Sequence, residues 1–157
     1  MSDDVKRLLL LYAGHIGGRT HELLVAVQQG IALSEEAIEV RSLSALQADE
    51  NDLLWAQGLL IGTPEHFGYM AGAIKDFMDR TFYRVEGKVV GLPYAIFVSA
   101  GNDGTGAVNS IERIAAGYRW KKITEPVIVI GAVDESARQR CQELGQTMAS
   151  GLALGIF

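Results

Sequence analysis

The residues best suited to chemistry lie in three glycine-containing stretches. They are Gly14-His15-Ile16-Gly17-Gly18-Arg19-Thr20, Gly62-Thr63-Pro64-Glu65-His66-Phe67-Gly68-Tyr69-Met70 and Ser99-Ala100-Gly101-Asn102-Asp103-Gly104-Thr105-Gly106. In the first, an apolar run ends at Ala13 and helical spacing begins near Thr20. Glycines let neighbouring N–H groups converge, and the N-terminus of the following helix carries partial positive charge, so this turn is a candidate phosphate cradle. Arg19 adds a permanent charge with a planar fork, and Thr20 a hydroxyl. An ordinary strand-to-helix turn can carry the same glycines, and that alternative stays open here.

The second stretch offers backbone N–H groups from Glu65 to Gly68 to the edge of a flat, electron-accepting ring. Phe67 and Tyr69 supply apolar stacking surface, and Gly68 allows close approach of the main chain. Phe67 and Met70 could equally form a staple that packs the next helix, the preferred reading for Met70. His66 could move a proton, although a single loop histidine is more often a bystander. The third stretch, Ser99 to Gly106, offers hydroxyl, amide and carboxylate groups on a flexible backbone, suited to ring carbonyls or sugar hydroxyls. Gly/Asn/Asp clusters also mark plain turns, and Asp103 could simply be solvated.

These loops need a scaffold that brings them together. Five apolar runs read as strands: Leu8–Ala13, Ile38–Arg41, Gly58–Gly62, Tyr94–Ser99 and Val127–Ile130. Four are apolar at nearly every position, as central parallel strands covered on both faces are; the second, alternating Ile38 and Val40 with Glu39 and Arg41, reads as an edge. Between the runs, apolar residues recur at helical spacing: Leu23, Val27, Ile31; Met70, Ile74, Phe77, Thr81; Val108, Ile111, Ala115, Tyr118; Ala137, Cys141, Leu144, Met148. Asp52 is expected to cap a short helix before the third strand, and Asp134 the last helix. Strand alternating with helix predicts a three-layer, doubly wound α/β domain over 1–157, with a five-stranded parallel sheet in the order 2-1-3-4-5. Such sheets bind ligands beyond the carboxyl ends of the strands, where the three stretches fall.

Composition narrows the partners. The chain has 157 residues, is 48% hydrophobic and carries a net charge of −5. That is enough for one cored domain, and the sign of the charge disfavours nucleic acid and anionic membrane. No run is long enough to be a membrane span or signal core. The single cysteine, Cys141, cannot pair internally, which predicts a cytoplasmic setting. His15, His21 and His66 lack metal-ligand spacing. A P-loop would need lysine and glycine where Arg19 and Ala13 stand, and a dinucleotide fingerprint an acidic residue where Arg41 and Ser42 stand. The third strand ends in Gly62-Thr63 instead of a phosphoacceptor aspartate. Neither a Cys-x5-Arg loop nor G-x-S-x-G is present.

Gly62-Thr63-Pro64, followed by Phe67-Gly68-Tyr69-Met70 and Lys75-Asp76-Phe77-Met78-Asp79-Arg80, resembles the GTP-x-x-FG-x-M stretch and F-x-D-R helix of a known family. This is the flavodoxin-like family that includes flavodoxins and the NAD(P)H-dependent FMN and quinone reductases of the WrbA type. The resemblance extends over almost the whole chain. It implies non-covalent FMN, with phosphate held by His15, Ile16, Gly17, Gly18, Arg19 and Thr20. The ring would contact Pro64, Glu65, His66, Phe67, Gly68 and Tyr69, with further contacts from Ser99, Ala100, Gly101, Asn102, Asp103, Gly104 and Gly106. NADH or NADPH would supply hydride, and a quinone-like acceptor would receive it. The family alternative is an electron carrier or partner-binding module with weak or lost FMN binding. The WrbA-type insertions tied to tetramers do not fit in this length, so the resemblance implies a homodimer. One departure matters: family phosphate loops read T-x-T-G-x-T, whereas His15 and Gly17 occupy the first two hydroxyl positions here.

Overall fold

The computed structural model describes residues 5–157. Its core follows from β1 (Lys6–Tyr12), whose four leucines are all 0% exposed. Successive side chains of a strand point to opposite faces. Leu9 and Leu11 therefore enter one hydrophobic layer, with Leu53, Phe77 and Ile111, and Leu8 and Leu10 the other, with Val27, Leu144 and Met148. Both faces of the sheet are thus covered, which is why the run is continuously apolar.

The chain continues through α1 (Arg19–Ala32), β2 (Ile38–Ser44), α2 (Glu50–Trp55), β3 (Gly58–His66), β4 (Tyr69–Met70) and α3 (Gly72–Val85). It then forms β5 (Pro93–Ala100), α4 (Thr105–Tyr118), β6 (Lys121–Lys122), β7 (Val127–Ile130) and α5 (Glu135–Ala153). The sheet runs β2-β1-β3-β5-β6, and β7 also pairs with β5; all these pairings are parallel. Because β6 pairs with the start of β5 and β7 with its end, the two are halves of one broken strand, and the expected 2-1-3-4-5 order holds. Three residues of advance along β5, from Tyr94 to Phe97, match five on the partner, from Lys122 to Val127. Pro126, which has no N–H for the ladder, lies inside this interruption. The expected Val127–Ile130 strand is its second half.

Two local expectations change. Asp49, not Asp52, is the N-cap of α2; it accepts from Asn51 N–H at 2.9 Å, while Asp52 accepts from Asp49 N–H at 2.9 Å and completes a capping box. Asp52 stands three residues past the cap, at the third position of the helix, and its carboxylate reaches back to the cap's backbone. Asp134 caps α5 as expected, accepting from Ala137 N–H at 2.9 Å. The third strand also runs four residues past Gly62 and folds back on itself, which reshapes the second loop.

Candidate functional site

β1, β3 and β5 end side by side, so the segments after them meet at one edge of the sheet. Between them lies an open cleft of about 280 Å³, lined by Gly14, His15, Gly18, Arg19, Thr20, Pro64, His66, Ser99, Ala100 and Gly101. The first and third stretches are fastened together at its floor: the buried hydroxyls of Thr20 and Ser99 share a 2.6 Å hydrogen bond. That bond fixes the N-terminus of α1 against the end of β5.

The first loop is a compact turn. Gly14 and Gly17 have φ of 118° and 88°, angles that L side chains rarely adopt. Gly18 N–H donates to the His15 carbonyl at 3.0 Å, and Gly17 N–H to His21 Nδ1 at 3.3 Å. The helix then begins at Arg19, and its first-turn N–H groups have no partner inside the helix. Arg19 is exposed and, among the described residues, joins no ion pair. Arg19, His15 and His66 line the cleft and no carboxylate does, although the whole chain is acidic. An anion suits this lining.

The second stretch is a hairpin, not the open loop expected. Glu65 pairs with Met70 and His66 with Tyr69, leaving Phe67 and Gly68 as a two-residue turn with φ of 52° and 70°. Positive φ at both positions is the signature of a type I′ turn. For the bulky Phe67 such a φ is strained. Its side chain is also fully exposed (107%), so Phe67 is no staple; Met70, 2% exposed, is the packing residue. Tyr69 is half-exposed.

Glu65 serves this hairpin. Its side chain turns toward α4, where Oε1 accepts from Gly104 N–H at 3.0 Å and Oε2 from Ala107 N–H at 3.2 Å. Gly104 has no side chain with which to cap α4, and Glu65 replaces it from another element. Ser110 Oγ accepts from Met70 N–H at 3.1 Å and donates to the Ala107 carbonyl at 2.8 Å. Thr63, wholly buried, accepts from Ala71 N–H at 2.9 Å and so closes the base of the hairpin. Gly106 lies directly beneath the turn, where a Cβ would strike the Gly68 carbonyl.

Of the residues picked out from the sequence, His15, Gly18, Arg19, Thr20, Pro64, His66, Ser99, Ala100 and Gly101 come together in the cleft. Ile16, Gly17, Glu65, Phe67, Gly68, Tyr69, Asn102, Asp103, Gly104 and Gly106 do not line it. Ile16 and Phe67 project outward, Asp103 accepts from the Thr105 hydroxyl at 2.6 Å, and Glu65, Gly104 and Gly106 brace the hairpin on α4. Gly14, in the first stretch but outside the cradle that the resemblance implied, also lines the cleft. Sequence reasoning had no signal for Ser110, whose role depends on contacts across 40 residues.

Outside the surface lysines Lys75 and Lys122, which Asp79 and Glu112 hold above the usual lysine range, the shifted titrations lie in the core. Burial pushes the Tyr94 and Tyr118 hydroxyls up to about 12 and the Cys141 thiol up to about 11, and none of the three lines the cleft. Among the described residues, no group of three His, Cys, Asp or Glu is placed to hold a metal ion, and no helix is long and apolar enough to cross a membrane.

Comparison with known proteins agrees with this arrangement. The flavodoxin of Aquifex aeolicus is 29% identical to the chain, over 96% of this chain and 89% of that protein. An NAD(P)H dehydrogenase (quinone) of Acidithiobacillus ferrooxidans is 40% identical over 57 residues, or 36% of this chain and 28% of that one. A solved flavodoxin from the domain Archaea shares the fold with a TM-score of 0.78 at 20% identity, covering 93% of this chain and 98% of its own. Residues 12–134 match the family described as NADPH-dependent FMN reductase, so the chain belongs to that family.

Proposed function

We propose that the protein binds FMN in the cleft and uses NADH or NADPH to reduce a quinone-like acceptor. The observation that carries this reading is a cleft, free of lining carboxylates, where a glycine-rich helix N-terminus and Arg19 meet Pro64 and His66 at the root of the hairpin. The residues fit the cofactor. Arg19, Thr20 and the first-turn N–H groups of α1 suit a phosphate, and Pro64, His66 and Ser99 to Gly101 offer a wall for the rest of the molecule. Bound flavin would supply the redox chemistry, accepting a hydride equivalent and passing electrons on.

The protein's part is placement. The Thr20–Ser99 bond fixes the phosphate end against the sheet, and the Glu65 and Ser110 contacts fix the hairpin. Phe67, Tyr69, Ile16 and Ile130 are exposed apolar side chains at the carboxyl-end edge. They support two further parts of the proposal: a flat, apolar acceptor approaching from solvent, and a homodimer using the same surface. The buried, unpaired Cys141 fits a reducing cytoplasm.

Titration of flavin-stripped protein with FMN, followed by flavin fluorescence, tests the first step; saturable one-to-one binding is expected. The loaded protein should then oxidise NADH or NADPH when a benzoquinone or naphthoquinone is added, and inactivity with both donors would reject the reductase reading. A second reading, electron carriage without turnover, draws support from the likeness to the Aquifex aeolicus flavodoxin over nearly the whole chain. FMN binding without NAD(P)H oxidation, together with one-electron steps in a dithionite titration, would favour it. Light scattering of the loaded protein distinguishes monomer from dimer.

A further inference from the structure

The first loop of the cleft contributes an imidazole, that of His15, to its lining. His15 and Gly17 stand at the first two hydroxyl positions of T-x-T-G-x-T, and the glycine at the second leaves that position without a side-chain donor. The His15 ring is folded back over the turn. A Cβ on Gly18 would lie 3.0 Å from His15 Cε1 and 3.1 Å from Nε2, so the ring covers the backbone just before α1. The 3.0 Å bond from Gly18 N–H to the His15 carbonyl holds the ring's own backbone in that position. His15 and Arg19 line the cleft together, and among the described residues the His15 side chain makes no hydrogen bond and no ion pair.

We infer that His15 and Arg19 form a two-cation clamp for the phosphate of FMN, in which His15 makes flavin affinity depend on pH. This rests on the reading of the cleft as an FMN site. Histidine changes charge between pH 5 and 8, whereas Arg19 stays charged throughout. Raising pH therefore removes one positive charge from the clamp and weakens the hold on a dianionic phosphate.

The surrounding charged groups leave few competing explanations. His66 lines the same cleft from β3. On α1, His21 Nδ1 accepts Gly17 N–H, and Glu22 lies 3.9 Å from Arg138 of α5. In the β5–α4 segment Asp103 is bonded to Thr105, and Glu65 of β3 is bonded to the start of α4. The phosphate itself gains a proton near pH 6, which opposes the histidine effect at the acid end, so affinity should peak near neutral pH.

The test is the dissociation constant of FMN and of riboflavin from pH 5.5 to 8.5, for the wild-type chain, His15→Thr, His15→Gln and His66→Gln, with circular dichroism as a check on folding. In the wild type, FMN affinity should fall about tenfold from neutral pH to pH 8.5, the scale of one charge-assisted hydrogen bond. Riboflavin, which lacks the phosphate, should show no such fall. His15→Thr supplies a hydroxyl and should bind FMN with little pH dependence over the same range. His15→Gln should bind weakly and with little pH dependence, and His66→Gln should retain the wild-type slope. A flat wild-type profile, an unchanged slope in His15→Thr, or a slope abolished in His66→Gln would each overturn the role of His15 while leaving the FMN site intact. Absence of FMN binding at every pH would overturn both readings.

Discussion

Glu65 caps the helix α4, whose N-cap residue Gly104 lies 39 residues further along the chain, through a 3.0 Å hydrogen bond from the Gly104 N–H. A second bond, from Ala107 N–H to the other carboxylate oxygen, makes the cap two-pronged. The same residue pairs with Met70 in the β3–β4 hairpin. One side chain thus links the aromatic hairpin to the helix after the third loop, and does so without lining the cleft.

Glu65→Ala should therefore lower stability by about 1–2 kcal/mol, the usual cost of losing a helix N-cap. The partial positive charge at the start of α4 would also lose its counter-charge. Urea denaturation measures the loss, and FMN affinity should drop with it as the hairpin loosens. Glu65→Gln keeps one acceptor oxygen and should recover about half of the stability. A Glu65→Ala chain as stable as the wild type would show that α4 is satisfied by water instead.

Gly106→Ala carries the opposite sign from the one helix propensity assigns. In an exposed first turn, alanine is worth up to about 1 kcal/mol over glycine. Here the new Cβ would collide with the Gly68 carbonyl, and backbone on both sides leaves no flexible side chain to give way. The substitution should destabilise by about 1–3 kcal/mol, as overpacking does. Its clearest sign would be increased protease cleavage at the Phe67–Gly68 turn.

The scaffold was legible in the residues because burial on both faces leaves a plain mark. Leu8 to Leu11, Leu59 to Ile61 and Ala95 to Val98 are apolar because helices cover the sheet on each side. The helix stripes were legible for the same reason: Leu23, Val27, Ile74, Phe77, Ile111, Cys141 and Met148 all enter the core. The hairpin was not legible. Phe67-Gly68 lacks the usual Asn-Gly or Asp-Gly turn chemistry, and the turn is held by Glu65, Gly106 and Ser110 from a distance. Glu65 was chosen for its loop and belongs to the site as a brace; only tertiary contact distinguishes the two roles. The break in the fifth strand was equally hidden, since Lys121-Lys122 carries no apolar signal and pairs as a short edge segment.

Arg19→Ala tests the charge at the phosphate end. The guanidinium is exposed and makes no ion pair among the described residues, so its removal should cost less than about 0.5 kcal/mol in folding. A charge-assisted contact to phosphate is worth about 1.5–3 kcal/mol, or roughly 10- to 150-fold in affinity. FMN binding should therefore fall by at least tenfold, whereas riboflavin binding stays within twofold. An equal loss for the two flavins would place Arg19 beside the ring and not the phosphate.

Alkaline pH should destabilise the fold in a defined window. Burial raises the Cys141 thiol from 9.0 to about 11 and the Tyr118 hydroxyl from 10.0 to about 12. Each group stays protonated in the folded chain after its unfolded counterpart has ionised, so rising pH favours the unfolded state. Their contributions are intact below pH 9, and are lost between about 9 and 11 for Cys141 and between about 10 and 12 for Tyr118. Each loss is on the order of 2 kcal/mol. Urea midpoints should hold steady from pH 7 to 9 and fall from there upward. In Cys141→Ala the midpoint starts lower, because a buried sulfur is removed, but it should hold steady to about pH 10 before Tyr94 and Tyr118 begin to act. A decline in Cys141→Ala that began at pH 9, as in the wild type, would assign the alkaline weakness to groups other than the thiol.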